Sequence, residues 1–156
     1  MILEKIIGNI NDLEFANKKV DYVDIEWHEA FKKLHKKVSK NGLEVGIKLD
    51  NNILTRGLKQ GDVLGVYDDI VIAVNIPAAK ALVINVDDSS LIPKLCYEIG
   101  NKHATLFRGD NDNQFITIFD EPMKTMIEKL GISVEEKVVK FDFDKSISSS
   151  INAHHH

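Results

Sequence analysis

The apolar pattern of this chain changes period around Asn75-Ile76-Pro77-Ala78-Ala79, and that change confines the fold to two unlike parts in tandem. Pro77 interrupts an apolar run, so the segment reads as a linker. Before it the signals are those of short strands. Met1–Ile7 and Val20–Trp27 are rich in β-branched and aromatic residues. Asn41-Gly42 is a turn signal, and Leu43–Leu49 after it alternates Val45, Ile47 and Leu49 against Glu44, Gly46 and Lys48. Gly61-Asp62 turns into another strand, and Asp68-Asp69 into the run Ile70–Val74. Residues 1–75 therefore read as a small, mostly antiparallel β domain. Residues 31–39 stay open between two readings. Phe31, Leu34, His35 and Val38 follow helical spacing with five lysines facing away, but Lys33–Ser39 also alternates as a strand.

After the linker, helical faces appear between strands. Ala81–Val86 reads as a strand, followed by N-cap candidates at Asp87-Asp88-Ser89-Ser90. Leu91, Ile92, Leu95, Cys96 and Ile99 then form one helical face, with Gly100 as its C-cap. Thr105–Phe107 and Phe115–Phe119 read as strands around a turn at 108–113. Asp120 caps a second helix with Met123, Met126, Ile127 and Leu130 on its face and Gly131 at its end. Val138–Phe143 reads as the final strand. The order β-α-β-β-α-β is that of the ferredoxin-like split βαβ. The fold class is α+β: a β-rich domain over 1–75, a ferredoxin-like domain over 76–144, and a flexible histidine-bearing tail over 145–156.

Composition excludes several function classes. The chain has 156 residues and a net charge of −4, with 11 basic and 12 acidic residues before position 76 and 9 and 12 after it. Neither part has the basic excess of a nucleic-acid binder. No stretch approaches the roughly 18 apolar residues of a membrane span, and no secretory signal pattern opens the chain, so a cytoplasmic protein is expected. A single cysteine, Cys96, excludes an intramolecular disulfide and a cysteine-rich zinc site. Asp110-Asn111-Asp112-Asn113 imitates a calcium loop, but Phe115 stands where that loop needs glycine. No phosphate loop, nucleophile elbow or His-Glu-x-x-His run is present.

Histidines carry the remaining chemistry. His103 follows the helix end at Gly100, and His154, His155 and His156 close the chain. Imidazole suits nickel, zinc and copper. One fixed histidine cannot hold a metal alone, but a two-fold axis would bring two His103 side chains together, and tail donors could complete the sphere. The competing readings are a capping histidine at the negative end of a helix and a terminal tag remnant. Against the second, no vector-like spacer precedes the three histidines. His28 and His35 read as surface histidines, Cys96 as an inert buried thiol, and the lysines of 32–40 as a solvated face.

The run Tyr97-Glu98-Ile99-Gly100-Asn101-Lys102-His103 resembles the Tyr-x-x-Gly-Asn-Arg-His run of the UreE urease accessory metallochaperones. Leu58-Lys59-Gln60-Gly61-Asp62-Val63-Leu64 is similar to their Leu-x-x-Gly-Asp-x-Leu run, and Lys129-Leu130-Gly131 and the histidine-bearing tail also match. Lys102 replaces the usual arginine with charge preserved. The resemblance implies a peptide-binding-like β domain, which favours a strand over 31–39, and a ferredoxin-like domain through which the protein forms a homodimer. It further implies His103 as nickel ligand at the axis, with His154–His156 joining it loosely. Residues 104–153 hold no histidine, so no auxiliary site is expected. The function implied is delivery of Ni(II), with Zn(II) or Cu(II) as alternative cargo, to the urease apoprotein together with accessory proteins including a GTPase. A carrier needs no acid–base or nucleophile set, and none is visible. The rival readings are a protein-interaction adaptor with incidental histidines and a small-ligand enzyme on the ferredoxin-like fold.

Overall fold

A computed structural model describes residues 1–147. Met1–Pro77 form one compact unit and the described residues from Ala78 onward a second.

The first unit contains β1 (Ile2–Leu3), β2 (Gly8–Asn9), β3 (Lys19–Asp24), β4 (Leu34–Val38), β5 (Glu44–Lys48), the short helix α1 (Ile53–Arg56), β6 (Asp62–Tyr67) and β7 (Ile70–Asn75). They form two sheets, ordered β1-β5-β4 and β2-β6-β7-β3. The β4–β5 hairpin pairs Leu34 with Lys48 and Val38 with Glu44. Its turn places Gly42 at φ 90°, a conformation that glycine adopts without a Cβ penalty. Asp68 and Asp69 both take positive φ between β6 and β7, as a two-residue hairpin turn of matching twist requires.

Several expectations are corrected here. Two of the five strand pairings in this unit are parallel, β1 with β5 and β3 with β7, so the domain is mixed. Long connections bring those partners together, and local alternation does not report them. The strand expected over Met1–Ile7 shrinks to Ile2–Leu3, and that over Val20–Trp27 ends at Asp24. Within 31–39 the chain is a strand, so alternation puts His35 inside and Leu34 and Val38 outside. His35 is thus buried, not a surface histidine. Its Nε2 lies 2.9 Å from the Lys32 carbonyl oxygen, while Nδ1 is enclosed without a hydrogen-bond partner. Burial holds its pKa below the ordinary value, against the opposing pull of that carbonyl and of Glu29.

The Leu58–Leu64 run has an architectural explanation. Leu58 is fully buried, Gly61 sits at φ 84°, and Asp62 is 1% exposed. The Asp62 carboxylate accepts from the Lys59 backbone N–H at 2.8 Å and from both Arg56 guanidinium nitrogens at 2.7 and 2.9 Å. One carboxylate thereby fixes α1 to the start of β6, a charge-assisted bidentate arrangement.

The second unit contains β8 (Ala79–Asn85), α2 (Ile92–Asn101), β9 (Leu106–Arg108), β10 (Gln114–Ile118), α3 (Glu121–Lys129) and β11 (Ser133–Val139). The sheet order is β11-β8-β10-β9, with every neighbouring pair antiparallel. Leu82, Ile84 and Phe115 of the sheet pack with Leu95 and Ile99 of α2 and Met123 and Ile127 of α3 in one core. Phe107 alternates to the other sheet face, where the Phe141 and Phe143 rings cover it at centroid distances of 5.1 and 5.7 Å. The last strand begins five residues before the expected Val138. None of its residues is fully buried, so its apolar signal is weak, and the Val138–Phe143 run drew the expectation too far along.

Candidate metal centre

The helix that carries the histidine motif is well determined by its sequence. Asp88 accepts hydrogen bonds from the Ser90 N–H and hydroxyl at 3.0 and 2.7 Å, and Pro93 occupies the first turn of α2. The Ser90 bonds hold the Asp88 carboxyl below the usual range. Leu95 and Ile99 are fully buried and set the rotation of the helix, which leaves Tyr97 70% exposed on the other side. Cys96 is half-buried, and burial pushes its thiol pKa up against the influence of Arg108, as expected of an inert thiol.

The end of α2 differs from expectation. Gly100 lies inside the helix, and Lys102 is the C-cap. The left-handed residue that follows is His103, at φ 59°. Its N–H donates to the Gly100 carbonyl at 3.0 Å, and the Ala104 N–H donates to Ile99 at 3.3 Å. Those two bonds define a Schellman motif, whose left-handed position normally belongs to glycine. Helix α3 ends in the same way and uses glycine: Gly131 sits at φ 80°, its N–H donates to Glu128 at 3.0 Å, and Ile132 donates to Ile127 at 3.4 Å. A residue with a Cβ pays about 1–2 kcal/mol to adopt that conformation. Among the described residues, the other non-glycine positions at positive φ are the hairpin aspartates Asp68 and Asp69. Aspartate and histidine are both enriched there among residues with a Cβ, yet each carries a cost that glycine avoids. His103 stands in that position, exposed at the helix end.

The sequence carried a signal for this register that the search for a glycine cap obscures. A Schellman turn is accompanied by an apolar contact from the residue after the left-handed position. Ala104 packs against the core that includes Ile99, which identifies His103 as the residue between.

Among the described residues, the other histidines do not join it. His28 is exposed and meets the Trp27 ring edge-on at 5.6 Å, and His35 is buried in the first unit. His154, His155 and His156 lie outside the described residues. Among the described residues, no three His, Cys, Asp or Glu side chains come together to hold a metal. No helix among the described residues is long and apolar enough to cross a membrane.

These features define a two-domain α+β protein, mostly sheet, that displays a histidine at a helix end. Residues 3–77 match the family model for the N-terminal domain of the UreE urease accessory protein, and residues 79–156 match that for its C-terminal domain. The chain is 36% identical over 151 residues to the urease accessory protein UreE of Helicobacter acinonychis (strain Sheeba), covering 97% of this chain and 88% of the relative. The protein of that name from Helicobacter pylori (strain G27) gives the same identity and coverage. The one from Acetivibrio thermocellus is 41% identical over 140 residues, 90% of this chain and 88% of the relative. The chain belongs to the UreE family of urease accessory proteins.

Proposed function

We propose that the protein is a cytoplasmic, homodimeric nickel carrier that supplies Ni(II) to apo-urease as the enzyme is assembled, working with accessory proteins that include a GTPase. It is a chaperone and not an enzyme. The observation that carries the reading is His103: α3 uses glycine at the equivalent turn, whereas α2 keeps an imidazole there at a conformational cost. The second unit is read as the ferredoxin-like split βαβ, supported by its β-α-β-β-α-β order and its sheet order. Two such units related by a two-fold axis bring two His103 side chains to one ion. Nickel is the cargo, and zinc and copper suit the same imidazole donors.

The course of the chain supports a part for the tail. Ser146 pairs antiparallel with Phe107, and the Ile147 N–H donates to the Leu106 carbonyl at 2.8 Å. At Ile147 the chain therefore heads along β9 toward His103. Nine further residues, ending in His154, His155 and His156, have ample length to reach it at about 3.3 Å each. A site built from few imidazoles releases its ion readily, as delivery requires.

The test is activation of purified apo-urease with its accessory proteins under limiting, buffered nickel. The nickel-loaded protein raises activity, and His103→Ala protein does not. Equal activation by the two would overturn the reading.

A further inference from the structure

The tip of the β4–β5 hairpin holds the chain's only Asn-Gly pair, Asn41-Gly42. Such a pair loses its side-chain amide more easily than other asparagines do. Glycine has no Cβ to hinder attack by its own backbone nitrogen on the asparagine side chain. Asn41 is exposed, and a Cβ placed on Gly42 would have nothing within 4 Å, so no neighbour fills the space around the reacting groups.

The closed hairpin nonetheless engages both reacting groups. The Gly42 N–H donates to the Ser39 carbonyl at 2.9 Å, and the Leu43 N–H donates to the Ser39 hydroxyl at 3.0 Å. The Asn41 side-chain amide donates to the Tyr67 hydroxyl at 3.4 Å, and that hydroxyl donates to Asp21 Oδ2 at 2.9 Å. The Asn41 backbone N–H donates to Asp21 Oδ1 at 3.0 Å. Asp21 is 1% exposed, so these two donors stand in for the water that its carboxylate has lost. The tip is thus fastened to a buried charge, and the neutral amide of Asn41 sits beside the hydroxyl that serves it.

We propose that Asn41 is a site of spontaneous deamidation, which the closed hairpin holds back and whose product loosens the hairpin tip. When the tip opens, the Gly42 nitrogen attacks Asn41 Cγ. The new N–Cγ bond closes a cyclic imide as the Cγ–Nδ2 bond breaks, and Nδ2 leaves as ammonia with the proton that the Gly42 nitrogen gave up. Water then opens the imide. Cleavage of the N–Cγ bond leaves an aspartate; cleavage at the backbone carbonyl leaves an isoaspartate, which lengthens the main chain. Either product sets a second carboxylate beside the Tyr67 hydroxyl and Asp21. One hydroxyl proton then faces two carboxylates, and Asp68 already adds negative charge at this hydroxyl. Lys40, the adjacent cation, is held by Asp24 at 2.8 Å. The repulsion falls on the bonds that fasten the tip. None of this involves His103, so the site stands or falls apart from the nickel reading.

The full chain is incubated in mildly alkaline buffer, folded and in unfolding urea, and peptide mass spectrometry follows each asparagine for the mass gain of an amide becoming an acid. In urea Asn41 converts ahead of every other asparagine. In the folded chain it converts at least about tenfold more slowly, the factor set by an opening cost of about 1.4 kcal/mol. Tyr67→Phe, which frees the side-chain amide and keeps the ring, speeds the folded-state reaction. Asn41→Asp lowers the urea midpoint of Trp27 fluorescence, and its effect is smaller when Asp21→Asn is already present, as expected of two charges that repel. Equal rates in the folded and unfolded chain, faster conversion of another asparagine in urea, an unchanged rate in Tyr67→Phe, or an unmoved midpoint in Asn41→Asp would overturn the proposal.

Discussion

Replacing His103 by glycine should make the metal-free protein more stable while destroying its tight metal site. The left-handed conformation at φ 59° costs a residue with a Cβ about 1–2 kcal/mol. Glycine removes that cost but loses about 0.5–1 kcal/mol more conformational entropy on folding. The midpoints of the two ranges give a net gain of about 0.75 kcal/mol, between bounds of about 0 and 1.5. For a domain of this size each kcal/mol moves Tm by about 4–8 °C, so the second unit should gain about 3–6 °C. The assay is thermal unfolding in the presence of a chelator, followed by far-UV circular dichroism. Trp27, the single tryptophan, reports the first unit separately by fluorescence, and its transition should not move. Gly131→Ala is the mirror experiment, because it imposes on α3 the strain that α2 already bears, and it should cost about 1 kcal/mol. A His103→Gly protein that melts at or below the parent temperature would refute the claim that the histidine is held there against backbone preference.

Three further outcomes follow from the structure. Asp62→Ala should destabilise the first unit by about 2 kcal/mol, read as a lower urea midpoint of Trp27 fluorescence, because it removes the carboxylate that ties the half-exposed Arg56 guanidinium to the Lys59 N–H; a change under about 0.5 kcal/mol would contradict the architectural role given to this motif. The buried His35 is favoured neutral in the folded state, so its contribution is complete above the unfolded pKa of about 6.5 and lost as pH falls below it through the lower folded value. For Glu29, burial raises the pKa but the Lys37 hydrogen bond and charge outweigh it, so its contribution is lost only below about 4.5. His35→Leu should therefore flatten the fall of the urea midpoint that begins below about pH 6.5 and leave the drop below about 4.5; an unchanged upper limb would refute the assignment. Removing His154, His155 and His156 should weaken nickel binding or lower its stoichiometry without moving either melting transition; loss of all binding would make the tail, not His103, the anchor.

Much of this was legible in the residues because several signals agreed at each place. Asp120 caps α3 through the Met123 N–H at 2.9 Å, and Gly131 ends that helix as its sequence suggests. The change of pattern lies near Pro77, the residue with which the first compact unit ends. What misled were segments whose apolar residues face outward. Leu34 and Val38 suggested a helical face because a core position was assumed for them, and the charged neighbours of His35 suggested a surface histidine where the strand buries it. The parallel pairings of β1 and β3 depend on partners dozens of residues away, beyond the reach of a periodicity argument. At the site, the sequence suggested His103 as a donor and put the helix end at Gly100, two residues before the Lys102 cap. Glycine is common at that position, and the strained histidine became visible only from the backbone. Local rules tend to fail in this way at functional positions, where chemistry overrides propensity.

The central claim is that two His103 side chains share one ion, and nickel calorimetry on the full chain at about pH 7.5 tests it most directly. Free histidine is then largely neutral, since it titrates near pH 6.5. The account predicts about one tight nickel per two chains, abolished in His103→Ala protein that melts as the parent does. One tight nickel per single chain, or undiminished affinity in His103→Ala, would contradict it.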